Sequence, residues 1–190
     1  VRHISEYIIR SYRDGMDAVE LEKTVRNAVA SANIELFDMS SSEQVLSGMG
    51  TTAVIALIKD GEAVIANVGD SRIYLVNEEI KQLTRDHSVV QSLIESGKIT
   101  PEDAKFHPRK NVITRAIGAE GAVTADSAVI KLNSGDTLLL CTDGLSNYLD
   151  DNEILSVFKN TDISSVPETL VLKANLNGGG DNITVVTLTE

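Results

Sequence analysis

The sequence is short of the residues that build several familiar kinds of site. It has no tryptophan and one cysteine, Cys141. A lone cysteine excludes an internal disulfide, and its place in the run Leu138–Cys141 suits a small buried hydrophobe. Nothing therefore demands an oxidising compartment, and a cytoplasmic location is expected. The three histidines and the cysteine fall in no ligand spacing, which argues against zinc. Positive charge is also scarce: 17 Lys and Arg against 28 Asp and Glu leave a net charge of −11. That balance argues against nucleic acid as the main partner, because phosphate backbones recruit basic surfaces. Long apolar runs are missing as well. The longest, Ala53–Ile58, is far too short to span a bilayer, and the opening VRHISEYIIR lacks a continuous apolar stretch. No membrane insertion is expected.

What is present fits one domain over 1–190, since 190 residues with 42% hydrophobic content allow a substantial core. Ile4, Ile8 and Tyr12 recur at four-residue spacing and predict a first helix, stopped by Asp14-Gly15. Ala18, Leu21, Val25, Ala28, Val29, Ala32 and Leu36 form one apolar stripe, which predicts a helix over roughly 17–38 packed on a sheet. From Gly48 the pattern turns to strands. TTAVIALI and EAVIANV are joined by Asp60-Gly61, the signature of a tight hairpin, and RIYLV and EIKQL supply two more strands. The segment 86–118 interrupts them as a polar, mostly helical insertion: one short helix ends near Gly97, and Thr100, Pro101 and Asp103 open another. AVTADSAVIKL and DTLLLC then read as a hairpin. A helix capped by Asp150 or Asp151, a second over about 164–175 and a final strand NITVVTLT complete the chain. The order predicts an α+β fold, with antiparallel sheets between helical layers.

Three aspartates stand at the ends of strongly apolar strands, each beside a glycine: Asp70 after VIANVG, Asp143 after LLLCT, and Asp181 before NITVV. Asp-Gly and Gly-Asp are also common turn pairs, and Asp14, Asp60 and Asp136 read as plain turns, so the dipeptide alone separates nothing. Spacing does not say whether the three meet. If they converge at one sheet rim, the cost is large: two unit charges about 4 Å apart repel by about 4 kcal/mol at an effective dielectric of about 20. Protons or hard divalent cations such as magnesium or manganese would have to offset it.

Six segments, in order, resemble motifs of bacterial type 2C protein serine/threonine phosphatases: GMGTTAVIAL (48–57), VGDSRIYL (68–75), LTRDHS (83–88), HPRKNVITRAIG (107–118), LLLCTDGLSN (138–147) and GGGDNITVV (178–186). The likeness covers nearly the whole chain and is closest to small Gram-positive enzymes paired with a membrane serine/threonine kinase. It implies a sandwich of two antiparallel β-sheets flanked by helices. It implies metal-dependent hydrolysis of phosphoserine and phosphothreonine on proteins, opposing such a kinase. It also implies manganese or magnesium, two ions per complete site and a third, weaker one. By resemblance, Asp143 and Asp181 are ligands of the pair, and Asp70 is a ligand of the third, shared with Asp143. The nucleophile is then a metal-bound water, so no side chain of this chain is catalytic. The insertion at 86–118 matches the mobile flap implicated in substrate choice. Asn147 stands where some relatives carry a further aspartate, which implies a weak third site.

The family's N-terminal DGMGGH motif and its phosphate-binding arginine are not in the sequence, which opens inside the helix that follows them in relatives. The expectation is that this part belongs to the natural protein, and that the 190-residue chain alone is feeble. A non-catalytic, partner-binding module is the alternative. Gly69-Asp70-Ser71 also resembles the nucleophile block of a lipase family, but the Asp-x-x-His that family needs near its C-terminus is not present, nor is a Gly-x-Ser-x-Gly elbow. Of the other polar residues, Thr51 and Thr52 read as support for the core strand and Arg72 as a loop brace. His87 reads as a cap-region histidine or a flap candidate, and His107 and Arg109 as solvated flap residues.

Overall fold

A computed structural model describes residues 1–189. Helices α1 (Arg2–Ser11) and α2 (Ala18–Ser42) are followed by strands β1 (Ala53–Lys59), β2 (Glu62–Val68), β3 (Arg72–Val76) and β4 (Ile80–Gln82). The insertion holds α3 (Val89–Glu95) and α4 (Pro101–Lys105). Then come β5 (Asp126–Lys131), β6 (Thr137–Cys141), α5 (Asp143–Ser146), α6 (Asp151–Asn160), α7 (Val166–Leu176) and β7 (Val185–Thr189). The strands form two antiparallel sheets, ordered β1-β2-β5 and β4-β3-β6-β7.

Three apolar clusters show how the layers stack. Ala63 and Ile65 of β2 face Ile73 of β3 and Leu138 of β6, so the inner faces of the two sheets share one core. The alternate residues Val64, Ala66 and Val68 turn the other way and pack on Leu21, Val25 and Val29 of α2. On the far side, Tyr74, Val76, Leu139 and Cys141 pack on Leu145, Ile154 and Leu170 of the C-terminal helices. The central strands are thus buried on both faces, which is why they read as unbroken apolar runs rather than alternating ones. Full burial of each Leu or Val on α2 stabilises the fold by about 1.5–3 kcal/mol.

Local chemistry sets the ends. Asp17 and Glu20 make a reciprocal capping box that starts α2, and Thr100 with Asp103 and Asp150 with Glu153 do the same for α4 and α6. Asp60 and Gly61 both adopt positive φ, 52° and 75°, the conformation of a tight two-residue hairpin turn between β1 and β2.

One expectation fails. β5 and β6 do not form a hairpin: β5 pairs with β2, and β6 pairs with β3 and β7 in the other sheet. The link between β5 and β6 crosses from sheet to sheet, held by Asp136, whose carboxylate accepts from the Asn133 amide at 2.9 Å and from Asn77 Nδ2 at 2.9 Å. The Gly69–Ser71 link between β2 and β3 also crosses between the sheets, at the opposite end of the sandwich.

Candidate functional site

Strand register brings two of the three aspartates together. Arg72 of β3 pairs with Cys141 of β6, and continuing that antiparallel register two residues past the strand ends sets Asp70 across from Asp143. Cys141 pairs with Val185 of β7, so the same continuation carries the chain back toward Asp181. Beyond the ladder, Thr142 donates its N–H to Thr184 O at 3.1 Å, and Thr142 Oγ1 donates to Asn182 O at 3.2 Å. Gly144 is required here by space: a Cβ on it would lie 2.3 Å from Asn182 O, so only glycine lets the 181–183 turn cross the start of α5. Gly69 carries a φ of 107°, and a Cβ there would lie 2.3 Å from Thr52 Cγ2. The β2–β3 turn is thereby fixed against the start of β1, with Thr52 Oγ1 and Ser71 Oγ 3.0 Å apart.

The electrostatics follow from this placement. Burial first, and then the Asp143 charge, push the Asp70 carboxyl up from its ordinary 3.8 to about 6. Burial and then the Asp181 charge push Asp143 above the usual carboxylate range. The Asp143 charge thus acts on Asp70, and the Asp181 charge on Asp143. Asn147 Nδ2 donates to Asp143 Oδ2 at 3.3 Å, while Asp181 is exposed and accepts from the adjacent Asn182 amide at 2.7 Å. Among the described residues, no three His, Cys, Asp or Glu side chains gather closely enough to enclose an ion on their own. The donor chemistry still suits a hard cation: carboxylate oxygens from three chain segments, two of them held against their preference for charge.

An open groove of about 800 Å³ begins at Asp70 and Asp143 and runs between the insertion, with Gln91, Lys105 and Lys110, and the turn 146–153. The base of the insertion is tied down by a polar network whose partners for Arg72 the sequence did not name. Arg72 grips the buried Asp86 with Nε at 3.0 Å and Nη2 at 2.7 Å from Oδ2, and donates to the Tyr74 hydroxyl at 3.0 Å. Gln82 Nε2 adds a bond to Asp86 Oδ1 at 3.0 Å. Arg72 is the loop brace expected of it. Asn33 of α2 holds the far end of the insertion, accepting from the Gly118 amide at 2.8 Å and donating to Glu120 O at 3.0 Å. Thr51 is exposed, so burial does not explain it; its backbone bridges Ile117 in both directions, at 3.0 and 2.8 Å. His87 is buried, and the side chain that caps α3 belongs to Ser88. Arg109 is exposed and His107 partly so; His107 Nδ1 accepts from the Arg109 amide at 3.1 Å. Ser71 is buried with its hydroxyl engaged by Thr52, which does not suit a nucleophile.

Comparison with known proteins agrees with this architecture. The protein phosphatase 2C family matches residues 3–182. The serine/threonine phosphatase stp of Listeria monocytogenes serovar 1/2a is 44% identical over 173 residues, covering 90% of this chain and 69% of that protein. Among solved structures, Stp1 from Staphylococcus aureus superposes with a TM-score of 0.92 at 35% identity, over 100% of this chain and 76% of that one. The catalytic domain of the phosphatase PstP, solved with two manganese ions, gives a TM-score of 0.79 at 31% identity, over 97% of this chain and 79% of that one.

Proposed function

Because the chain belongs to the protein phosphatase 2C family, we propose that it hydrolyses phosphoserine and phosphothreonine on proteins in a metal-dependent reaction that opposes a bacterial serine/threonine kinase. The observation that supports the reading is that the β3–β6 register sets Asp70 across from Asp143 at the mouth of a groove lined by the insertion, with the charge of Asp181 acting on Asp143. Asp143, Asp181 and Asp70 would hold manganese or magnesium, as PstP holds two manganese ions. Such cations supply Lewis acidity, lowering the pKa of a coordinated water and neutralising charge on the phosphoryl group.

The chain's own residues do the positioning. The β3–β6 register sets Asp70 opposite Asp143, and Gly144 lets the turn bearing Asp181 approach α5. Arg72 and Asp86 fix the base of the insertion beside that pole. Lys105 and Lys110 line the groove and can draw a phosphorylated segment toward it. Among the described residues, no helix is long and apolar enough to cross a membrane.

The test is release of phosphate from a phosphothreonine peptide with manganese present. It would be measured on this chain and on the chain joined to an N-terminal segment carrying the family's DGMGGH motif. The joined form should turn over and be silenced by excess chelator, and this chain alone should be weak. Turnover that persists in chelator would refute the metal-dependent reading. Inactivity of both forms, with the flap still binding a phosphoprotein, would favour a partner-binding module.

A further inference from the structure

One buried side chain has no place in the chemistry above, yet it joins three parts of the molecule. The His87 ring is 2% exposed at the point where the insertion leaves the sheet. Its Nδ1 accepts from the Gly69 amide at 3.0 Å, and its own amide donates to Gly69 O at 2.9 Å. Both backbone polar groups of the residue before Asp70 are therefore held by one residue. The His87 carbonyl accepts from the Thr114 amide at 2.7 Å, at the returning end of the insertion. With Nδ1 accepting, the ring proton of the neutral form sits on Nε2. That atom lies 3.1 Å from Asp126 Oδ2 but off the hydrogen-bond line. Asp126 is itself gripped by Arg115 at 2.5 Å.

From this geometry we propose that His87 is a positioning residue, which locks the turn carrying Asp70 to both ends of the insertion. Gly69 has a φ of 107° and Thr52 wedged against it, so the turn has one seat, and His87 closes that seat from the other side. A displacement of the insertion at Thr114 is passed through one residue to the backbone beside Asp70. The position of Asp70 relative to Asp143, and hence the cation they share, is coupled to the state of the flap. The cation part rests on the proposed metal site; the clasp itself does not.

Two substitutions of similar polarity separate this role from simple packing. In His87→Asn the side-chain oxygen sits where Nδ1 sits, so the Gly69 amide keeps an acceptor. In His87→Gln the amide reaches toward the Nε2 position and leaves Gly69 unpaired. Amide hydrogen exchange is read in metal-free protein at 69–71 and 112–116, with 138–140 of the central strand as reference, and manganese affinity is read by calorimetry. His87→Gln should speed exchange about tenfold at both segments but not at the reference strand, and weaken manganese binding about tenfold, as loss of an outer-shell partner does. His87→Asn should stay within about threefold of the parent in both readouts. Equal behaviour of the two variants, or acceleration spread evenly over the reference strand, would overturn the proposal. Local acceleration with no manganese binding in any form would uphold the clasp and sink the metal reading.

Discussion

The two ends of the β-sandwich use the same dipeptides for opposite purposes. At one end lie Asp60-Gly61, the turn after β3 and the Asn133–Asp136 crossing; at the other lie Gly69-Asp70, Asp143-Gly144 and the turn at Asp181. Asp136 is supplied with donors from Asn77 and Asn133, which hold its carboxyl below the usual range. Asp70 and Asp143 are pushed above it, each first by burial and then by a neighbouring charge, Asp143 for Asp70 and Asp181 for Asp143. A carboxylate at the first end is satisfied by neutral partners and finishes a turn. Asp70 and Asp143 at the second end carry charge against their preference until protons or cations arrive. The contrast separates turn from site where the sequence did not.

The largest expected break is in activity. Asp143→Asn in the joined form should lower manganese-dependent phosphopeptide turnover by more than about 100-fold, whereas Asp136→Asn should leave it within about twofold. Steady-state rates at saturating manganese check this.

Next comes the shared Asp-Gly pair. Gly144→Ala must move Asn182 and should cost about 2–3 kcal/mol, the upper range for overpacking. Gly61→Ala strains a positive φ of 75° and should cost about 1 kcal/mol. Urea unfolding of the two variants gives the ratio.

Smaller again is Asp136→Ala, which removes bonds to Asn77 and Asn133 and should cost about 1–2 kcal/mol. Its pH dependence has a definite sign. The folded-state pKa of Asp136 is depressed, so its stabilisation is present above the ordinary 3.8 and is lost as pH falls through the folded value.

The smallest effect has the opposite sign. The folded-state pKa of Asp70 is raised to about 6, so its favourable contribution is complete below 3.8 and lost as pH rises through 6. In chelator, Asp70→Asn should therefore be more stable than the parent at pH 8, by about 1 kcal/mol after discounting for solvent screening. At pH 4 the difference should shrink toward zero. Thermal melts across that range decide it.

Much of the scaffold was legible because its signals are local. Asp60-Gly61 announces its hairpin by turn chemistry, and Thr100 and Asp150 announce their helices by capping. Six ordered motifs pointed to the family, and the family comparisons agree. The β5–β6 pairing was misread because a short link serves equally for a hairpin and for a crossing between sheets; only the partners of each strand tell them apart. The clasp at His87 was hidden for a related reason. Its partners at Gly69 and Thr114 are distant in sequence, and the bonds run largely through backbone atoms that no residue type advertises. Asp70, Asp143 and Asp181 were named as residues, but the placing of Asp70 across from Asp143 needed the register of β3 and β6.

The most direct test is the melting temperature of the chain in manganese and in chelator, compared across the parent, Asp143→Asn and Asp136→Asn. A cation at about 100 times its dissociation constant should stabilise the parent and Asp136→Asn by about 2.7 kcal/mol, while Asp143→Asn gains nothing from manganese yet melts above the parent in chelator. An undiminished manganese response in Asp143→Asn, or its loss in Asp136→Asn, would contradict the assignment of the two ends.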